Sequence, residues 1–309
     1  MARIPWLRHA FSTRVLRPTR GRQQSPMRRV AGTKLAAGSN TAFAGLNLGL
    51  AEKDRRARIE ANRRLFYDRV GVGTLELAGL RQIHSSLVHT ARAGGSGTVR
   101  YTPSGCTPAQ AASDGPPYGD SLMTDQRGIL LSVCTADCVP LLLVDPARRA
   151  IAAVHAGWRG SLQRIVEKTV GEMRRAFHSQ PEELLAAIGP CIRACCYQVG
   201  QEVVEAFCGC FVQCEDYFKQ PPLSDAAQAL RSRYPLWLLS ARTPGRGPHA
   251  GAAAHLDLVA VTHDQLRNAG VRSTNIHVAS FCTACRTDLF FSHRKEGRTG
   301  RMMAAIGMV

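Results

Sequence analysis

Two short apolar runs, 139–144 and 151–154, flank Asp145-Pro146-Ala147-Arg148-Arg149, and this turn chemistry between strand-length segments folds the chain back on itself as a β-hairpin. The open end of that hairpin carries chemistry. Thr135-Ala136-Asp137-Cys138-Val139-Pro140 begins the first strand, and His155-Ala156-Gly157-Trp158-Arg159-Gly160 ends the second. If Asp145 faces Arg148 across the turn, Cys138 lies opposite His155, and directly opposed side chains share a face with Cβ atoms about 5 Å apart. A thiol and an imidazole so placed suit two ligands of one zinc ion. A slip of one residue would put them on opposite faces.

The surrounding periodicity places this hairpin in a larger sheet. The apolar run 128–134 has strand length and leads straight into it. Ile59, Asn62, Leu65, Phe66 and Val70 recur at helical steps and predict a helix over 51–70; residues 78–90 alternate as a strand or strand pair containing His84. Leu162, Ile165, Val166, Thr169, Val170, Met173 and Phe177 form one face of a helix over 161–177, with Ser161 as its N-cap. His155 and Arg159 then stand just ahead of a helix N-terminus, where free N–H groups favour an anion and Arg159 adds a bidentate clamp for phosphate. Further along, 184–188 and 276–281 read as strands, 199–207 and 256–266 as helix, and 290–294 with 302–308 as a closing hairpin. Strands that alternate with helices and also form direct hairpins imply an α+β fold of mixed sheets covered by helices, rather than a purely parallel doubly wound sheet.

Composition narrows the class. The chain has 309 residues, 45% hydrophobic and 20% charged, the balance of a globular protein read here as one domain over 1–309. No apolar run approaches the roughly 20 residues that span a bilayer, and no secretory apolar core is present, so a soluble cytoplasmic protein without membrane contact is expected. The net charge of +17 comes partly from a first fifty residues that contain no Asp or Glu but carry Arg3, Arg8, Arg14, Arg17, Arg20, Arg22, Arg28, Arg29 and Lys34. A transit peptide or a nucleic-acid tether has that composition. The segments His9-Ala10-Phe11-Ser12-Thr13-Arg14 and Leu46-Asn47-Leu48-Gly49, however, look folded, so 17–42 reads as a solvated basic loop with no specific nucleic-acid partner. The Gly/Ser/Pro-rich stretch 92–120 reads as a surface loop. Eleven cysteines in a cytoplasmic chain predict reduced thiols rather than a disulfide framework. Cys195, Cys196, Cys208, Cys210 and Cys214 are expected as small hydrophobes or surface thiols, and Cys282-Thr283-Ala284-Cys285, a lone CxxC, as structural rather than metal-binding.

Spacing alone leaves the third ligand of the Cys138/His155 pair open. His84, in Gln82-Ile83-His84-Ser85 at a strand end, is one candidate. Three protein ligands with a vacant fourth position would be the catalytic pattern of zinc.

These motifs, with Gln82-Ile83-His84, Ile188-Gly189-Pro190-Cys191-Ile192 and Phe291-Ser292-His293-Arg294, run in order from about residue 9 to the C-terminus. Together they resemble the YfiH-like family, formerly labelled polyphenol oxidase or laccase domain and described as purine nucleoside phosphorylases. The resemblance implies a sandwich of mixed β-sheets flanked by helices, and a Zn2+ site of His84, Cys138 and His155, with Cu2+ as the alternative metal. It implies phosphorolysis of adenosine, inosine and S-methyl-5′-thioadenosine, adenosine deamination as a second activity, and a purine nucleoside and inorganic phosphate as partners. By position, Asn47, Asn62, Arg63, Arg159 and Arg294 become candidates for holding phosphate or nucleoside, and Asp137 becomes a proton carrier or an orienter of the ligand beside it. Two departures stand out: the basic stretch replaces a Gly-rich loop, and Gln198 occupies a position where the family often has Glu. The rival readings are a copper-dependent, laccase-like polyphenol oxidase and a cysteine hydrolase acting in peptidoglycan editing, with Cys138 as nucleophile and His155 as base. Oligomeric state is not legible in these residues.

Overall fold

In the computed structural model, which describes residues 1, 4–15, 45–49, 54–95, 97–106, 113–219 and 254–309, the central hairpin is formed by β8 (Val139–Asp145) and β9 (Ala150–Ala156). Its register differs from the expected one. Asp145 pairs with Ala150, and Pro140 rather than Cys138 faces His155. The Asp145 carboxylate sets the wider turn, since its Oδ1 accepts the backbone N–H groups of both Ala147 and Arg148 at 3.0 Å. Arg149 then takes a left-handed φ of 51° before the second strand begins. The shift is two residues, and because side chains alternate with period two it leaves the face assignment intact.

Every residue of both strands is buried. Val139, Leu141 and Leu143 pack toward the helices, while Leu142 and Val144 pack toward a second sheet, which is why the run is apolar throughout instead of alternating. Each such side chain contributes about 1.5–3 kcal/mol by leaving water.

The hairpin lies within an eight-stranded sheet ordered β14 (Ile276–Val278), β10 (Leu185–Ile188), β8, β9, β6 (Ser121–Thr124), β3 (Val88–Ala93), β4 (Val99–Pro103) and β5 (Ser113–Asp114). The β10/β14 and β3/β6 pairs are parallel and the others antiparallel. A four-stranded sheet of β1 (Leu7–Phe11), β15 (Met302–Met308), β7 (Ile129–Thr135) and β2 (Glu76–Ala78) packs on one face of it, through Leu131, Val133 and Ile306 against Leu142, Val144 and Ile151. A small antiparallel sheet joins β11 (Gln198–Val199), β13 (Ala254–Leu256) and β12 (Phe218–Lys219). Helix α1 (Arg56–Val70) sets Phe66 against the outer face of the four-stranded sheet. Helices α2 (Trp158–Leu162), α3 (Ile165–Phe177), α4 (Gln201–Cys210) and α5 (Leu258–Asn268) cover the far face of the large one. The architecture is the expected α+β sandwich of mixed sheets flanked by helices.

Several elements depart from expectation for local reasons. The helix expected over 161–177 is broken by Arg164 at φ 59°, so Ser161 lies buried inside α2 rather than capping a helix, and Arg159 belongs to that short helix. Residues 254–256 form a strand because the Asp257 side chain accepts the N–H groups of Val259 and Ala260 and fixes the helix start at Leu258. No closing hairpin forms. Both edges of β15 are taken by β1 and β7, and Ser292 accepts the Lys295 N–H to cap α6 (His293–Glu296) instead of entering a strand. The stretch 92–120 contains β4 and β5, with Tyr101 buried and its hydroxyl accepting the Gly79 N–H. Cys208 and Cys214 form a disulfide, contrary to the expectation of free thiols: the chain folds back after α4 and brings their Cα atoms to 4.9 Å, inside bridging range. The basic stretch 17–42 and the first part of the expected helix, 51–53, lie outside the described residues. Among the described residues, no helix is long and apolar enough to cross a membrane.

Two crossings between the sheets position the thiol and one of the imidazoles. The chain leaves the four-stranded sheet at Thr135 and enters the large one at Val139, crossing through Ala136-Asp137-Cys138, with Asp137 at φ 93°. It makes a similar crossing between β2 and β3, and His84 sits there at φ 60°.

Candidate metal centre

Asp120, just ahead of β6, is fully buried, and a buried carboxylate is tolerated only when it is well supplied with donors. Its Oδ1 accepts His155 Nδ1 at 2.7 Å and the His84 N–H at 3.1 Å. Its Oδ2 accepts the Ser85 N–H at 2.6 Å, the Ser85 hydroxyl at 2.7 Å and the Ile83 N–H at 3.3 Å. Burial opposes ionisation, but the hydrogen bond and charge of His155, with the Ser85 donors, hold the Asp120 carboxyl below the usual carboxylate range. One side chain therefore fixes both the loop that carries His84 and the ring of His155.

With Nδ1 committed to Asp120, His155 offers its other ring nitrogen on the side of Cys138. His84 Nε2 stands 3.7 Å from Cys138 Sγ, and the two imidazole rings meet edge to face with centroids 4.9 Å apart. The three potential ligand atoms all lie within 4.8 Å of one another, on an exposed His84, a half-buried Cys138 and a buried His155. Burial pushes the Cys138 thiol up, but the charge and hydrogen bond of His155, seconded by His84, bring it down to about 6. Burial pushes His155 down, but the Cys138 thiolate and the Asp120 carboxylate hold it up at about 9. Gly157 keeps the space clear: a Cβ there would come within 2.8 Å of His84 Cδ2 and 3.1 Å of Cys138 Sγ.

The donor set fits a metal ion. Two imidazole nitrogens and a thiolate are common zinc ligands, three protein ligands with an open side mark catalytic sites, and a carboxylate behind a histidine is how such sites fix the ring tautomer. Imidazole and thiolate also suit copper.

The open side is a cavity of about 710 Å³. Among the described residues, five arginines line it (Arg63, Arg81, Arg159, Arg294 and Arg301), against a single carboxylate, Asp137. Two of them lie over aromatic rings of the same wall: the Arg159 guanidinium is 4.3 Å from the centre of Trp158, and that of Arg294 is 5.0 Å from the centre of Tyr197. A guanidinium is planar and weakly hydrated by its own delocalisation, and an aromatic face beneath it fixes the position from which its fork can meet an oxyanion.

Of the residues singled out in the sequence, His84, Cys138, His155, Asp137, Arg63, Arg159 and Arg294 meet at this cavity. Asp137 has both oxygens engaged, Oδ1 accepting the Thr283 hydroxyl at 2.6 Å and Oδ2 the Arg294 N–H at 2.7 Å. Asn47 and Asn62 do not line the cavity. The buried Asn47 donates to Asp54 and accepts from the Gly49 and Arg301 N–H groups, and Asn62 donates to the Asn47 carbonyl. Both shape the 45–49 segment beneath Arg63, whose Nε donates to the Leu48 carbonyl. The backbone carbonyl of Gln198 accepts a hydrogen bond from the Arg294 guanidinium. Sequence reasoning missed Asp120, Arg81, Arg301 and Tyr197. Asp120 reads as turn chemistry after Gly119, and nothing in one sequence separates it from any other loop aspartate.

A family model described as multi-copper polyphenol oxidoreductase laccase matches residues 28–309. The chain is 34% identical over 276 residues to a protein named purine nucleoside phosphorylase YlmD from Geobacillus stearothermophilus, covering 89% of this chain and 88% of that one. It is 32% identical over 266 residues to one named adenosine deaminase RL5 from an unknown prokaryotic organism, covering 86% and 87%. The crystal structure of a Bacillus licheniformis hypothetical protein YfiH matches with a TM-score of 0.71 at 26% identity, over 98% of this chain and 93% of that one. That of YlmD from Geobacillus stearothermophilus gives 0.67 at 28%, over 99% and 93%.

Proposed function

Given that the chain belongs to the laccase-like YfiH family, we propose that it is a zinc-dependent purine nucleoside phosphorylase acting on adenosine, inosine and S-methyl-5′-thioadenosine, with adenosine deamination as a second outcome at the same site. The observation that carries this reading is the opening of the His84, Cys138 and His155 trio onto a cavity walled by arginines. The names of the relatives supply the substrate class.

His84, Cys138 and His155 would hold the ion, which supplies Lewis acidity at one end of the cavity. The chain's own groups do the rest. Arg159 and Arg294 orient inorganic phosphate through bidentate hydrogen bonds, and the neighbouring arginines offset its negative charge. In phosphorolysis a phosphate oxygen forms its bond to the ribose anomeric carbon as the carbon–nitrogen bond to the purine breaks, and the electron pair leaves with the base. That chemistry needs alignment of two reactants and a positive wall, both of which the cavity provides. Asp137 holds Thr283 and the backbone of Arg294, so it acts as a positioning residue; Asp120 does the same for His155.

The test is chromatography of adenosine incubated with the zinc-loaded protein. Adenine and ribose 1-phosphate formed only with phosphate support phosphorolysis, and inosine supports deamination. Absence of both at full zinc occupancy overturns the reading.

A second reading is favoured by one observation. Cys138, His155 and Asp120 also form a nucleophile, base and orienter in line, with the thiol pushed down to about 6, as a cysteine hydrolase requires. That scheme has no use for His84.

A further inference from the structure

The second group of cysteines comes together although its members are far apart in sequence. Cys195 and Cys196 lie in a turn after β10, and Cys282 and Cys285 lie in another after β14. A parallel bridge between Cys191 and Cys282 sets the two turns side by side, with the Thr283 N–H donating to the Cys191 carbonyl at 3.0 Å. Cys285 Sγ is then 3.6 Å from Cys195 Sγ and 3.4 Å from Cys196 Sγ, and all four sulfurs lie within 4.8 Å of one another.

We propose that Cys195, Cys196, Cys282 and Cys285 form a second, structural zinc site, distinct from the centre at His84, Cys138 and His155. Sulfurs around a tetrahedral zinc, each about 2.3 Å from the metal, stand about 3.8 Å from one another, close to the spacing found here. Four protein thiolates leave no vacant position, and closed sites of this kind are structural. Cys195 and Cys285 are exposed, which gives an ion a route in.

The site has a purpose in the architecture. Tyr197, in the cavity wall, follows Cys196 directly, and Thr283, which holds the Asp137 carboxylate, lies inside the Cys282-to-Cys285 turn. A zinc ion here staples the two turns that build that wall.

Metal content of the full chain, purified with zinc and desalted, tests the proposal. Cys285→Ser and Cys195→Ser should each bind one equivalent less than the wild type, and Cys138→Ala should lose a different equivalent, so that Cys138→Ala combined with Cys285→Ser loses both. Because the reading is a difference, it stands whether or not the protein turns over nucleosides. Cobalt(II) substitution should give intense thiolate-to-metal charge-transfer absorption, most of which is lost in Cys285→Ser and the remainder, from the single thiolate of Cys138, in Cys138→Ala. If both serine variants fail to fold, alkylation of the native wild type decides: the four thiols should be protected with zinc and labelled after chelation. Wild-type metal content in the serine variants, a disulfide among the four thiols, or labelling indifferent to zinc would overturn the proposal.

Discussion

The Oδ1 atom of Asp120 lies 2.7 Å from Nδ1 of His155 while accepting the backbone N–H of His84, so one buried carboxylate fixes two imidazoles that arrive from different parts of the chain. Partners of this kind typically change metal affinity 10–100-fold when mutated. Asp120→Asn is nearly isosteric but places an amide where an anion accepts five donors. We expect zinc affinity, measured by competition with a chromophoric chelator, to fall about 10–100-fold. Unchanged affinity would mean that Asp120 only supports the loop.

His84→Ala separates the two readings of the thiol. In the zinc reading it removes a ligand, and zinc affinity at this centre and phosphorolysis should each fall by more than about 100-fold, beyond the usual effect of an outer partner. In the hydrolase reading the Cys138, His155 and Asp120 line survives intact, and thiol-dependent activity persists.

Arg159→Lys keeps the charge but removes the planar fork that stacks on Trp158. The KM for phosphate should rise about tenfold, equivalent to about 1.4 kcal/mol, with a smaller change in the KM for nucleoside. Equal effects on both would place Arg159 elsewhere in the reaction.

Glu296 ties helix α6, which bears Arg294, to the N-terminal segment: its carboxylate accepts Arg14 at 2.8 Å, the Thr299 hydroxyl at 2.9 Å and the Ser292 N–H at 3.0 Å. Partial burial pushes its carboxyl up, but these donors outweigh it and hold the group below its ordinary value. A depressed folded value means the contribution is complete above the unfolded value of about 4.3 and is lost as pH falls through the folded one. Glu296→Gln should therefore be less stable than wild type by about 1 kcal/mol at pH 7, with the gap closing below about pH 4. Urea midpoints across that range check the sign.

Legibility in the sequence tracks distance along the chain. The hairpin of β8 and β9 was legible because its turn and both strands are contiguous; its register was not, because an Asp145 carboxylate capping two N–H groups widens the turn in a way that Asp-Pro alone does not announce. The resemblance to the YfiH-like family named His84, but the spacing of Cys138 and His155 left it one candidate among many. Asp120 stayed hidden because its meaning comes from five donors in separate segments. The four-thiol cluster stayed hidden for the same reason: a lone CxxC is a weak signal until a bridge at Cys191 and Cys282 brings its partners alongside. At Ser292 a strong capping residue sat at the edge of an apolar run, and the cap won over the strand.

The ends of β2 and β7 in one sheet and the starts of β3 and β8 in the other mean that His84 and Cys138 ride on separate bridges between layers, while His155 is anchored within one of them. Any sliding of one layer over its neighbour would alter the nitrogen–sulfur spacing at once, so the interlocked side chains between the layers also act as the gauge that keeps the three ligand atoms within reach of one another.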